Sequence, residues 1–311
     1  MVRKFLTYCL LFFIPVVLGY LVMEYLSAEL PSVFKANKEY IQRESESIET
    51  LVLGSSQMKS AVNAGGLERA LNLASGDQHH DTDFKLLQSF QKKLPKLKTV
   101  VLEVSYSHFE LPHNGPDFWK NSLYLKYYDV NCYERATYFK DRLLYLSHPK
   151  VYSEKIIRFY TEETPSEVYN EFGFNTNNFE GQFKTLGHDE VKIAAMPRFK
   201  INREPNPQTF TMNTALFYRM LDSLYLKDMN VIICKAPMYK TYLPQRQTDI
   251  LRRRDSVLAD VLQKYPNVHL LDQETDTIHY EVNDYWNQSH LNPNGAKKFT
   301  ARLKQLLETT N

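Results

Sequence analysis

From Phe5 to Met23 the chain carries no charged residue (FLTYCLLFFIPVVLGYLVM). As a helix rising about 1.5 Å per residue, this stretch matches the roughly 30 Å hydrocarbon core of a bilayer. In hydrocarbon every backbone N–H and C=O must pair within the segment, so a lone span has to be helical. Pro15 and Gly19, costly in a soluble helix, are tolerated there. Arg3 and Lys4 precede the run and Glu24 follows it. The positive-inside rule then keeps the N-terminus cytoplasmic and exports the body. A cleaved signal peptide is the rival reading. It requires an apolar region of about 7–15 residues and small residues at the cleavage site. This run is longer, Ser27-Ala28 after Leu26 makes a poor site, and no lipobox-like cysteine follows. A buried core helix fits the basic flank and the terminal position less well. Residues 1–26 are therefore expected to be a single-pass signal anchor in the cytoplasmic (inner) membrane. The C-terminal body is expected on the extracytoplasmic, periplasmic side.

Residues 27–47 are mixed and charged and predict a stem. Beyond them short apolar runs alternate with helical spacing. Glu49–Gly54, Ala70–Leu73, Lys98–Val104, Asn230–Cys234 and Val268–Leu271 predict strands. Phe84–Leu94, Thr214–Lys227, Thr248–Tyr265 and Pro293–Leu307 predict helices, the last with proline in its first turn. Apolar strands alternating with amphipathic helices mean an α/β fold, a mainly parallel sheet of about five strands covered on both faces. The body is expected to span 48–309. Within it, 106–207, rich in aromatics, Asn and Pro, predicts an insertion or cap with helical patches near 134–147 and 149–161. Charged residues at 24% and hydrophobic residues at 43% exclude a disordered chain, and a net charge of +2 offers nothing to nucleic acid. The 21 tyrosines fit ordinary core and surface positions. Cys9 lies in the apolar run; a Cys132–Cys234 disulfide is open.

In open α/β sheets ligands sit beyond the carboxyl ends of the strands, so the residues after each strand carry the most information. Leu53-Gly54-Ser55-Ser56-Gln57 puts serine at a strand-to-helix turn, where backbone N–H groups can hold an oxyanion. Serine needs a positioned base. His290, in Asn287-Gln288-Ser289-His290-Leu291-Asn292-Pro293-Asn294-Gly295, supplies one just before the last helix. The imidazole needs a third group to set its tautomer, and Asn287, three residues earlier, is within reach. Asp284 and Asp272 are alternatives. Two other clusters invite chemistry. His79-His80 with Asp81 and Asp83 could hold a metal, but adjacent histidines on a helix diverge, so a solvated helix start is expected and no metal. Arg252-Arg253-Arg254 is expected on a solvated helix face.

The two motifs resemble the SGNH (GDSL-type) hydrolase superfamily, most closely its membrane-anchored exported branch. Gly54-Ser55-Ser56 is similar to the Gly-Asp-Ser block, with Ser56 at the nucleophile position and Ser55 where Asp is usual. Asn72-Leu73-Ala74-Ser75-Gly76 is similar to the second block, in which Gly76 would help hold the oxyanion. His290-Leu291-Asn292-Pro293-Asn294-Gly295 is similar to the last. The acid of Asp-x-x-His is replaced by Asn287, and the third block, Gly-x-Asn-Asp, is missing at Glu103-Val104-Ser105-Tyr106. The resemblance implies a flavodoxin-like three-layer αβα sandwich and a serine esterase or O-acyltransferase acting, without cofactor or metal, on an acylated cell-envelope glycan or small ester. Ser56 would be nucleophile, His290 base, and Asn287 (or Asp284) orienter. Ser56, Gly76, Gln57, Asp77, Gln78, Ser105 and Asn292 would line the oxyanion and substrate site, with Ser107 another stand-in for the missing donor. Asn287 and the missing block leave a second expectation, a catalytically degenerate relative that binds glycan or an envelope-assembly partner. Nucleotide binding is disfavoured, because neither GxGxxG nor GxxxxGK[ST] occurs.

Overall fold

A computed structural model describes residues 1–135, 138–161, 167–197 and 201–310. The apolar run lies in α1 (Val2–Glu29), the one helix among the described residues long and apolar enough to cross a membrane. The chain divides into two compact units. One holds Met1–Ser32 with Gly115–Pro165, the other Val33–Asn114 with Ser166–Asn311.

In the first unit, the carboxylate of Glu24, the first acid after the apolar run, accepts hydrogen bonds from Leu144 N and Tyr145 N, each at 2.7 Å. Those N–H groups open the short helix Leu144–Ser147 and have no partner within it. Lys126 also pairs with Glu24 at 3.2 Å, and the rings of Tyr20 and Tyr145 meet edge-on at 6.0 Å. Helix Pro149–Thr161 confirms the helical patch expected there.

The second unit is the α/β body. Its strands are β1 (Thr50–Val52), β2 (Ala70–Asn72), β3 (Thr99–Glu103), β4 (Asn230–Lys235) and β5 (Val268–Asp272). They form one parallel sheet in the order β2-β1-β3-β4-β5. This is the flavodoxin-like order, which reverses direction at β1 and opens a crevice between the carboxyl ends of β1 and β3. The central strands are apolar on both faces because both are covered. Leu51, Val52, Val100, Val101, Ile232 and Ile233 are fully buried. Right-handed crossovers place α4 (His80–Lys93), Pro207–Tyr225 and Thr248–Lys264 on one face, and α3 (Ser56–Ala61) and the C-terminal helix Pro293–Thr310 on the other. The contacts agree: α3 packs on the C-terminal helix, and α4 on Pro207–Tyr225.

Several expectations change. Most of the expected stem is helix α2 (Val33–Glu44), which belongs to the body; it buries Phe34 and Tyr40, and its Asn37 donates to the carbonyl of Asn72 on β2 at 2.7 Å. The expected insertion 106–207 is not one piece. Gly115–Pro165 falls in the unit with α1, while its remainder belongs to the body, where Phe183 is fully buried against Tyr239 at 4.8 Å. The triple arginine does not share a solvated face. Arg254 is buried and forks onto Glu274 at 2.6 and 2.9 Å, and Arg253 reaches Glu110 at 2.6 Å; only Arg252 is largely exposed. Cys234 is fully buried with a free thiol, so the disulfide left open does not form.

Candidate active site

The first half of the site is the turn after β1. Gly54 has φ +142°, and a Cβ there would lie 2.7 Å from Glu103 Cβ and 2.8 Å from Glu103 Oε2, so only glycine fits. Glu103, the last residue of β3, is fully buried. Its carboxylate accepts from Ser55 N at 2.7 Å and from Ser55 Oγ at 2.9 Å, and Met58 N also points to it. Burial pushes its pKa up, and these hydrogen bonds oppose the rise. Ser55 caps α3, its hydroxyl oxygen accepting from Gln57 N at 3.2 Å. Ser56 is thereby presented as the first residue of α3, half-buried at the mouth of the crevice.

The second half is a hairpin of β6 (Tyr285–Asn287) and β7 (His290–Leu291). Gln288 O accepts from Tyr239 N at 2.9 Å, tying the loop to the segment after β4. Trp286 packs on Gly181, and its indole N–H donates to Glu180 O at 3.1 Å. Asn287 is buried. Its Oδ1 accepts from Ser289 N and His290 N, each at 2.9 Å, which identifies that atom as the amide oxygen. The same oxygen lies 3.0 Å from His290 Nδ1. An oxygen facing Nδ1 requires the proton on Nδ1, leaving the Nε2 lone pair to receive one. Ser289 Oγ, 3.0 Å from Nδ1 and 3.4 Å from Asn287 Oδ1, fits as acceptor from the ring and donor to the amide.

Ser56 Oγ lies 2.8 Å from His290 Nε2 across 234 positions of sequence. Burial, and next the charge of Lys59 one turn further along α3, push the His290 pKa down to about 4. The imidazole is therefore neutral near pH 7, as a proton acceptor must be, and its Nδ1 faces an amide oxygen rather than a carboxylate that would stabilise its protonated form. Lys59 is itself pushed below the ordinary lysine range by burial, against the attraction of Glu167. A recess of about 70 Å³ beside these residues is lined by Lys59, Ser60, Glu167, Phe174, Asn175, Asn178, Asn292 and Pro293.

The other expected site residues divide. The Gly76 turn lies alongside Gly54, held by a 3.0 Å bond from Ser75 N to Gly54 O. Gln57 is half-buried beside Ser56. Asp77 is exposed, adopts a left-handed φ of 58°, and its carbonyl accepts from Asn114 at 2.6 Å. Gln78 is not at the crevice surface: it is fully buried and donates to Asp83 at 2.7 Å. Ser105 turns toward Glu103 and lies 3.5 Å from His108 Nδ1, so its hydroxyl serves the support of the turn. Asn292 spends its amide on the loop, donating to Asn283 O at 2.8 Å and accepting from Asn294 N at 2.9 Å. Asp284 pairs with Lys298 at 2.6 Å and accepts from Glu281 N at 2.8 Å. Asp272 pairs with Lys235 at 2.5 Å. Both alternative orienters are thus committed elsewhere, and Asn287 faces the imidazole.

Glu103 and Ser289 were missed. Glu103 looked like the degenerate remains of a missing motif; an acid ending an otherwise apolar buried strand was the available signal, because such a group needs donors. Nor is the start of α4 solvated: His80 and Asp83 are fully buried. The chain matches no model of a protein family, and no curated protein matches it significantly.

Proposed function

We propose that the protein is a membrane-tethered serine esterase or O-acyltransferase of the SGNH type, acting on an acylated cell-envelope glycan. The observation that carries this reading is the 2.8 Å approach of Ser56 Oγ to His290 Nε2, with His290 Nδ1 facing an amide oxygen. A hydroxyl, a neutral base on it, and a group fixing the tautomer of that base are the parts of nucleophilic acyl transfer.

In the proposed reaction Ser56 Oγ attacks the ester carbonyl and its proton passes to His290 Nε2. The Ser56 N–H at the start of α3 and, by the family resemblance, the Gly76 N–H hold the oxyanion. His290 returns the proton to the leaving alcohol, and the acyl group stays on Ser56. A water or sugar hydroxyl then attacks, with His290 again as base. The glycan rests on the resemblance. The recess lined by Asn175, Asn178 and Lys59 beside Phe174 suits a polar, hydroxyl-rich substrate. The anchor reading of α1, with Arg3 and Lys4 before it, puts this chemistry outside the cytoplasmic membrane.

The test uses the full chain in detergent, with a fluorophosphonate probe and a chromogenic acetyl ester. Label mapped to Ser56 by mass spectrometry, and lost in Ser56→Ala, supports the reading. A folded protein giving neither label nor turnover overturns it. One observation favours a second reading, a non-catalytic relative that binds glycan or an assembly partner: Asn287 gives the imidazolium no negative charge. Glycan binding equal in parent and Ser56→Ala, with no turnover in the parent, selects it.

A further inference from the structure

Beneath the nucleophile turn three buried side chains converge. His80 opens α4, Asp83 lies one turn along it, and His108 sits in the 3₁₀ turn after β3. Their exposures are 1%, 0% and 2%. One ligand atom of each lies within 4.8 Å of one from both others.

Hydrogen bonding on their far sides fixes what they present. His80 Nε2 lies 3.0 Å from the carbonyl oxygen of Glu103; a carbonyl has no proton to give, so Nε2 carries the hydrogen and Nδ1 is a bare lone pair. Asp83 Oδ1 accepts from Gln78 and the Gly54 N–H also points to this carboxylate, while Oδ2 has no hydrogen bond. His108 Nδ1 faces Glu103 Oε1 at 3.8 Å and Ser105 Oγ at 3.5 Å; a proton on Nδ1 answers the carboxylate and bares Nε2. The three atoms left over, His80 Nδ1, Asp83 Oδ2 and His108 Nε2, are each buried without a hydrogen-bond partner. With Asp83 ionised, all three are electron-pair donors. Buried polar groups are nearly always paired, and such a set is satisfied by a cation.

We propose that His80, Asp83 and His108 bind a divalent transition-metal ion, zinc foremost, as a structural site under the Ser56 turn. Two imidazole nitrogens and one carboxylate oxygen suit zinc and its borderline neighbours, not calcium or magnesium. Ligating histidines ordinarily give their second N–H to a carbonyl or carboxylate; Glu103 offers its carbonyl to His80 and its carboxylate to His108. Burial already keeps both imidazoles neutral, the form that ligates, and the ion would stabilise the ionised form of Asp83, which burial disfavours. The rings of His80 and His108 stack at 4.1 Å and 7°. Lone pairs in parallel planes cannot meet at one ion, so binding turns one ring. His108 is that ring, because its Nδ1 contacts are the longer ones. The rings of His79, 6.1 Å from His108, and of the partly exposed His113, 6.5 Å from His79, lie next to the cluster. The ion would pin α4 to the end of β3, whose Glu103 holds Ser55.

This proposal stands independently of the hydrolase reading. Tag-free full chain in detergent is analysed for metals by mass spectrometry, then titrated with zinc and, separately, with cobalt. The expected result is about one zinc per chain, and a visible cobalt spectrum of low coordination number displaced by one equivalent of zinc. Uptake is expected to fall at least tenfold in Asp83→Asn and in His108→Gln. Parent protein that takes up neither metal overturns the proposal, as does undiminished uptake by folded variants, which would point elsewhere, for example to the exposed His279–Asp276 pair. If the variants do not fold, the parent's cobalt spectrum decides: tetrahedral-type bands support the site, and only the aquo-ion spectrum refutes it.

Discussion

The two halves of the Ser56–His290 pair are held in opposite ways. The His290 loop is largely self-sufficient: Asn287 Oδ1 gathers Ser289 N, His290 N and His290 Nδ1, all within three residues, and Asn292 caps the helix that follows. The Ser56 turn is held from a distance. Glu103, 48 positions from Ser55 in sequence, fixes both its N–H and its hydroxyl, and Gly54 exists to let that carboxylate approach. A locally wired loop leaves a motif in the sequence. A turn braced by another strand leaves only its own small residues, and its brace appears as an isolated acid.

This contrast can be broken experimentally. The largest expected effect is loss of the pair itself: His290→Ala should cut fluorophosphonate labelling of Ser56 by roughly 10³-fold or more with little change in melting temperature. Next is Gly54→Ala. It sets a methyl against Glu103 at a φ that alanine avoids, and should cost roughly 2–4 kcal/mol in thermal or denaturant unfolding. Loss well below that would mean the turn is not braced as described. Glu103→Gln should follow. A neutral amide accepts less strongly and brings an N–H toward the donors of Ser55, at about 1–3 kcal/mol in stability, with labelling slowed roughly tenfold or more. The mirror substitution, Asn287→Ala, leaves Ser289 N and His290 N without their acceptor; it should slow labelling and also cost about 1–3 kcal/mol.

The pH dependence sharpens the comparison further. In the proposed reaction His290 must be neutral to accept the serine proton, and its pKa is pushed down to about 4. Labelling should therefore rise through about pH 4 and stay level to neutrality. Asn287→Asp puts a negative charge against Nδ1, stabilises the imidazolium and raises that pKa. The acid limb should move to higher pH and the plateau should rise, roughly tenfold. An unmoved limb would argue that His290 is not the titrating base. The smallest effect belongs to Asp284→Asn. It weakens the pair with Lys298 and the bond from Glu281 N, at about 1 kcal/mol, and should leave labelling within about twofold.

Much of the sheet was legible because each strand is a short, mainly apolar run bounded by polar or turn residues, even the half-buried edge strand β5. All five expected strands appear within two residues at either end. Helix starts were less legible. The helix expected from Thr214 begins at Pro207, capped by the Asn206 side chain onto Thr209 N, and the one expected from Phe84 begins at His80. In both, the first turn is set by capping and packing rather than by apolar spacing. The region 106–207 was least legible. Its helices are short, and which body each stretch joins depends on contacts far away in the chain.

Sequence alone determined the long apolar N-terminal helix, the alternating α/β body, and the serine and histidine worth testing. Each follows from a local rule of periodicity, composition or short-range hydrogen bonding. Tertiary structure alone decided that Ser56 and His290 meet, that Asn287 rather than Asp284 or Asp272 faces the imidazole, and that Glu103, Asp83, His80 and His108 are buried together. Those facts depend on which residues share a low-dielectric interior, and that is set by chain reversal and strand order, over separations no local pattern records.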